Sequence, residues 1–439
     1  MRKQLLSLVF FLWVLGTYAQ TASTIQKAGT NLKVTTPESV GMSSARLQRM
    51  DKMIQEYTSK NYLPGVIAFI SRDGKTVYQK AFGVNDTETK AALELNAIMR
   101  IASQTKALTS LGVMLLFEEG KFLLDDPVSK YLPAFKNQQV LDKFSEKDST
   151  YTTVPTKREV TIRHLLTHTS GIGYAGIGSK EATAIYAKAK VTSGIGTPEG
   201  KIGDAMNRLG ALPLMHQPGE KFTYSLSTDV LGYFIEVMSG QPLDKFMRSR
   251  IFEPLDMQDT YFYLPASKHN RLATLYTEDA QKNTIKAQAR NGQSPDYPKV
   301  TNGTYFSGGA GLSSTITDYA KFLHMMLNNG SYNGKQIISP ATVHLMTTNQ
   351  IGEVNQGDNK FGLGFGIITS KGATKLGVSE GSYEWGGYYG TSYWVDPKEG
   401  IIGLLYTQKA PNTTGGSIAD KYKAMVYQAI TTSHNQKAE

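Results

Sequence analysis

Strand-like runs lie near the two ends of this chain and helical patterning fills its middle, which restricts the fold more than any other feature. Val66 to Ser71 and Lys75 to Tyr78 are rich in apolar and β-branched residues, and Arg72-Asp73-Gly74 between them is an Asp-Gly hairpin signal. Far downstream, Phe361 to Thr369, Tyr383 to Gly387, Tyr389 to Asp396 and Gly400 to Gln408 read as successive strands. Helical spacing marks Ser43 to Tyr57 and Gln104 to Glu119, the latter ended by Gly120. Further helices are expected over Asp204 to Leu212, Ser227 to Met238, Pro242 to Ile251, Ile316 to Leu327 and Ile418 to Ile430. The pattern predicts an α/β (α+β) fold whose sheet is assembled from segments 38–124 and 301–432, with a mainly helical domain, 125–300, inserted between them. A cleft between two such lobes is a common place for a small-molecule site.

The start of the chain reads as a signal peptide over residues 1–19. Arg2 and Lys3 precede an apolar run from Leu5 to Gly16, and Thr17-Tyr18-Ala19 supplies small residues before Gln20. That run is too short to span a bilayer, which takes roughly 20 apolar residues. No later segment is apolar for long enough either, so the expectation is an exported protein with no stable membrane span, in a bacterial periplasm or secreted. The chain has no cysteine, which removes disulfides and thiolate catalysis. Its formal charge of +10 invites a nucleic-acid reading, but the basic residues are scattered and no nucleic-acid motif accompanies them.

Ser103-Gln104-Thr105-Lys106 opens the long apolar helix. A serine hydroxyl is a weak nucleophile until a base takes its proton. A lysine three residues on lies on the same helix face and can reach it. Ser-x-x-Lys is a cheap pattern, yet this is its only occurrence here and it follows the apolar Ile101-Ala102. The helix N-terminus would also aim amides and its dipole at an oxyanion. Tyr224 is the candidate second base, placed between the Pro218-Gly219 turn and a helix capped near Ser227. A free phenol titrates near about 10, too high for a base at neutral pH, but a neighbouring ammonium stabilises the phenolate. Each of the three residues taken alone is also an ordinary structural residue.

Several segments, in order, resemble the serine β-lactamase-like hydrolases: class C β-lactamases, low-molecular-weight penicillin-binding proteins, D-amino-peptidases and β-lactamase-like carboxylesterases. They are Ile101 to Lys106, Leu165 to Gly171, Pro218 to Ser225, Gly308 to Leu312 and Tyr383 to Gly387. The resemblance implies an antiparallel sheet flanked by helices, with Ser103 as nucleophile, Lys106 as activating lysine and Tyr224 as base. The family's third motif, usually Lys-Thr-Gly, falls on Trp385-Gly386-Gly387, and the backbone N–H groups of Ser103 and Tyr388 would form the oxyanion hole.

Two departures bear on the substrate. Where the family has Tyr-x-Asn this chain has Tyr224-Ser225-Leu226, so the amide that would touch an acylamino group is missing. Trp385-Gly386-Gly387 lacks the cation and hydroxyl that would hold a β-lactam carboxylate, a loss of about 1.5–3 kcal/mol per charge-assisted contact. The Trp-Gly-Gly form looks like the carboxylesterase branch. The expectation is therefore an exported serine hydrolase of esters or related small-molecule acyl compounds, with Trp385, Gly386, Gly387 and Leu226 facing the substrate. β-Lactamase or D-amino-acid peptidase activity, or a non-catalytic binder of cell-wall fragments, are the alternatives. No cofactor and no metal are expected: His164 and His168 are four apart, but no glutamate lies between them. Gly308 to Gly311 lacks a nucleotide-loop ending and reads as a close-packed turn.

Overall fold

The computed structural model describes residues 32–435 apart from 175, 193, 291 and 292, so the expected leader over 1–19 lies outside the described residues. Helix α1 (Ser44–Ser59) is capped by the Ser43 hydroxyl, which accepts from the Arg46 N–H, and buries Leu47, Met50 and Ile54. Strands β1 (Gly65–Arg72) and β2 (Lys75–Gly83) follow, joined where Asp73 and Gly74 take φ of 50° and 75°. Two left-handed residues in succession are what a two-residue hairpin with native twist requires.

The remaining strands of the main sheet come from the C-terminal segment: β3 (Asn359–Phe361), β4 (Gly366–Ile368), β5 (Tyr383–Gly387), β6 (Thr391–Asp396) and β7 (Ile401–Tyr406). The sheet has seven strands in the order β3-β4-β5-β6-β7-β1-β2, antiparallel throughout. The N-terminal hairpin docks onto the last strand, Ile67 opposite Tyr406 and Arg72 opposite Ile401. Strand β1 is therefore an interior strand, paired on both sides and buried on both faces. Val66, Ala68 and Ile70 pack with α1 and the final helix, while Ile67 and Phe69 enter the main core on the other side.

Helix α2 (Thr105–Glu118) is buried at every residue from Thr105 to Leu116, as expected for a helix apolar all round. It packs against α3 (Ser227–Ser239) in the inserted stretch, and α4 (Ile316–Leu327) lies against the sheet. Helix α5 (Ile418–Gln428) covers the face shared with α1. One apolar core joins Phe69 of β1, Leu108 and Leu111 of α2, and Leu231 and Phe234 of α3.

Two expected elements differ. The run Phe361 to Thr369 folds as a hairpin, β3 and β4, rather than one strand. Gly364 takes φ of 94°, and the Gly362 N–H returns to the Phe365 carbonyl at 2.8 Å. The helix expected over Pro242 to Ile251 is α-helical at Leu243–Met247 and then widens into a π turn at Arg248–Phe252. The middle stretch also carries two short hairpins, Gln139–Phe144 with Tyr151–Pro155 and Tyr276–Glu278 with Thr284–Lys286. Among the described residues no helix is long and apolar enough to cross a membrane.

Candidate active site

Ser103 sits in a single 3-10 turn, Ala102–Gln104, that runs directly into α2. Ala102 holds φ of 40°, a left-handed conformation that costs a non-glycine residue free energy and persists only where the surroundings impose it. Those surroundings are visible. The Tyr319 hydroxyl of α4 donates to the Gln104 carbonyl at 2.9 Å, and the Tyr406 hydroxyl of β7 donates to Gln104 Oε1 at 2.6 Å. The Ile101 N–H bonds the Leu312 carbonyl at 3.1 Å, and the Leu312 N–H bonds Thr105 Oγ1 at 3.1 Å. Sheet, α4 and the Gly308–Leu312 loop together clamp the serine turn.

Lys106 is only 2% exposed. Its Nζ donates to the Gly309 carbonyl at 2.8 Å and to Ser103 Oγ at 3.4 Å, and lies 4.6 Å from the centre of the Tyr224 ring. The Tyr224 hydroxyl donates to Ser103 Oγ at 2.5 Å. Thus the serine oxygen has a phenol on one side and an ammonium on the other. A hydroxyl so placed is within proton-transfer reach of both groups.

Tyr224 owes its position to an extended segment tied to the loop after the short helix Ile162–Leu166. The Thr223 N–H bonds the His168 carbonyl at 2.8 Å, and the Leu226 N–H bonds the Gly173 carbonyl at 3.0 Å. Its ring is stacked with Tyr174 at 5.8 Å and lies 5.0 Å from His168 and 5.7 Å from Trp385. Burial, and secondarily the Lys106 charge, push His168 well below the usual histidine range, so its ring is neutral beside the ammonium. Its Nδ1 bonds Ser225 Oγ at 2.9 Å. His164 is engaged separately, its Nδ1 accepting from the Thr161 N–H at 3.1 Å in a capping box.

Strand β5 brings Trp385, Gly386 and Gly387 alongside the serine turn. A Cβ at Gly387 would lie 2.3 Å from the Ile101 carbonyl oxygen, so only glycine lets the strand approach this closely. Tyr388 follows directly and is 55% exposed. Ser103, Tyr224, Glu384, Trp385, Gly386 and Lys423 line a cleft of about 430 Å³. Leu226 does not join them. Expected to face the substrate, it is fully buried in the main core, where the entry to α3 turns its apolar side chain inward.

One neighbour of the site was not anticipated from sequence: Asp229, fully buried on the first turn of α3. Its Oδ1 accepts from the Ser307 hydroxyl at 2.6 Å. Burial pushes its carboxyl above the usual range, opposed by the Ser307 hydrogen bond and the Lys106 charge. The only sequence signal was a carboxylate at the start of a largely apolar helix.

The sequence profile of the Beta-lactamase family matches residues 50–428. The chain belongs to that family. The beta-lactamase family is one of serine hydrolases, and the relatives of this chain show its breadth. Esterase EstB of Burkholderia gladioli is 29% identical over 412 residues, covering 89% of this chain and 98% of EstB. Among solved structures, EstCE1, described as a hydrolase with promiscuous acyltransferase activity, superimposes with a TM-score of 0.74 at 26% identity, over 87% of this chain and 98% of that one. A penicillin-binding protein homologue from Pyrococcus abyssi gives a TM-score of 0.64 at 25% identity, over 88% and 78%.

Proposed function

We propose that this member of the beta-lactamase family hydrolyses carboxylic esters through an acyl-enzyme on Ser103. The observation that carries the reading is the convergence on Ser103 Oγ of the Tyr224 hydroxyl at 2.5 Å and Lys106 Nζ at 3.4 Å. In the attack, the Ser103 proton passes to the Tyr224 phenolate and Oγ forms a bond to the acyl carbon. The oxyanion takes hydrogen bonds from the Ser103 and Tyr388 N–H groups, a contribution of about 3–4 kcal/mol per donor in comparable sites. Collapse of the intermediate breaks the C–O bond, and the leaving alkoxide takes the proton from Tyr224. Water repeats the sequence in reverse and frees the acid.

The preference for esters rests on Trp385, which walls the cleft with an aromatic face where the family's third motif has a lysine, while Lys423 in the same lining is ion-paired with Glu384. The likeness to EstB supports the same choice. The test is a comparison of kcat/KM for p-nitrophenyl butyrate, a chromogenic cephalosporin and a D-Ala-D-Ala peptide, each with the Ser103→Ala control. Ester turnover well above the other two is expected. Rapid cephalosporin or peptide turnover with none of the ester would overturn the substrate assignment.

A further inference from the structure

Asp229 Oδ2 is a buried oxygen with no hydrogen-bond partner among the described residues. A buried oxygen without a side-chain partner is costly, and this one lies beside the Gly309 backbone, whose N–H favours the carboxylate, with the Lys106 charge just beyond. Only Gly309 separates it from Lys106. A Cβ added there would lie 2.5 Å from Asp229 Oδ2 and 3.4 Å from Lys106 Nζ, which puts the two charged groups no more than about 6 Å apart, within the range where opposite charges bias each other's protonation. They are not in direct contact. Lys106 spends its closest hydrogen bond on the Gly309 carbonyl, and the carboxylate lies behind that same residue.

The hydrogen bonds favour the ionised form of the acid. The Ser307 hydroxyl accepts from the Ala310 N–H at 3.0 Å and commits its proton to Asp229 Oδ1. A negative charge on Oδ2 faces the ammonium across Gly309. The other titratable groups around it are the phenols of Tyr174 and Tyr305, whose own hydroxyls have no partner among the described residues, and beyond them Tyr224. Burial and the Asp229 charge together hold both Tyr174 and Tyr305 well above the usual phenol range, so neither brings a competing negative charge.

We infer that Asp229 is a positioning residue of the hydrolytic machinery: its carboxylate is the buried counter-charge that keeps Lys106 protonated and fixed on the Gly309 carbonyl while Tyr224 gains and loses the serine proton. The inference rests on the proposed roles of Ser103, Lys106 and Tyr224. It assigns Asp229 no contact with substrate. Without the counter-charge the ammonium gives up its proton more readily and the phenolate feels less repulsion, so both limbs of the activity profile move the same way.

The test is the pH dependence of kcat/KM for p-nitrophenyl butyrate in wild type, Asp229→Asn, Asp229→Ser and Asp229→Glu, with Ser103→Ala beside them and folding followed by circular dichroism. The neutral variants should shift both limbs toward lower pH by roughly one unit, with a fall of up to about tenfold on the alkaline limb and a rise of up to about tenfold on the acid limb. Asp229→Glu should restore the wild-type profile. An unmoved profile in a folded neutral variant would overturn the inference, as would failure of both neutral variants to fold, which makes the acid structural only. Activity surviving in Ser103→Ala would instead remove the underlying mechanism, so the two failures are distinguishable.

Discussion

Tyr224 and Ser103 meet through a 2.5 Å hydrogen bond although 121 positions separate them in the chain. The serine comes from the clamped turn before α2, and the tyrosine from an extended segment pinned to the loop at His168–Gly173. Their meeting depends on packing between α2 and α3, which joins the sheet segment to the inserted stretch. Small displacements at such a junction carry large rate penalties, because proton transfer requires hydrogen-bond contact.

Tyr224→Phe separates chemistry from packing. The ring keeps its stack on Tyr174 at 5.8 Å and its contacts with His168 and Trp385, and only the hydroxyl is lost. Ester kcat should fall by about 10²–10⁴, with the urea unfolding midpoint little changed. Equal losses of activity and stability would mark Tyr224 as structural.

Gly309→Ala probes the space between Asp229 and Lys106. The added methyl would lie 2.5 Å from Asp229 Oδ2, far inside van der Waals contact, within a fully buried region. Overpacking of this kind destabilises by about 1–3 kcal/mol, and ester turnover should fall with it. A variant with wild-type midpoint and turnover would show that the loop yields freely, contrary to the clamped geometry described above.

His324 links stability to pH. Its Nε2 shares a hydrogen bond with Ser71 Oγ at 3.1 Å, and burial pushes the ring from 6.5 down to about 4. The folded protein therefore holds it neutral while the unfolded chain protonates it below about 6.5. Its contribution is complete above that pH and is lost as pH falls toward 4. By pH 5 the loss should reach about 2 kcal/mol. Replacing it, as in His324→Gln, should flatten the decline of the unfolding free energy between pH 7 and pH 5, measured by urea titration. An unchanged slope would contradict the assignment.

The sheet was legible because runs of apolar and β-branched residues and the Asp73-Gly74 turn are local signals, and α4 matched its expected limits at Ile316 and Leu327. The hairpin at Phe361 to Thr369 was hidden because its turn lies inside an apolar run, marked only by glycines. At the site, the order of Ser103, Lys106 and Tyr224 among the other segments could be read, and the structure places them together. The direction of the Leu226 side chain could not, since it depends on how the entry to α3 meets the core. Asp229 was missed for a similar reason. An acid in the first turn of a helix reads as an ordinary partner of the helix dipole until its burial is known.

The acyl-enzyme claim is tested most directly by mass spectrometry. The protein would be treated with a fluorophosphonate, digested, and the modified peptide sequenced, with Ser103→Ala and Tyr224→Phe in parallel. A single adduct on Ser103 is expected, absent from Ser103→Ala and formed at least about tenfold more slowly in Tyr224→Phe. An adduct on another residue, or ester turnover that persists in Ser103→Ala, would contradict the mechanism.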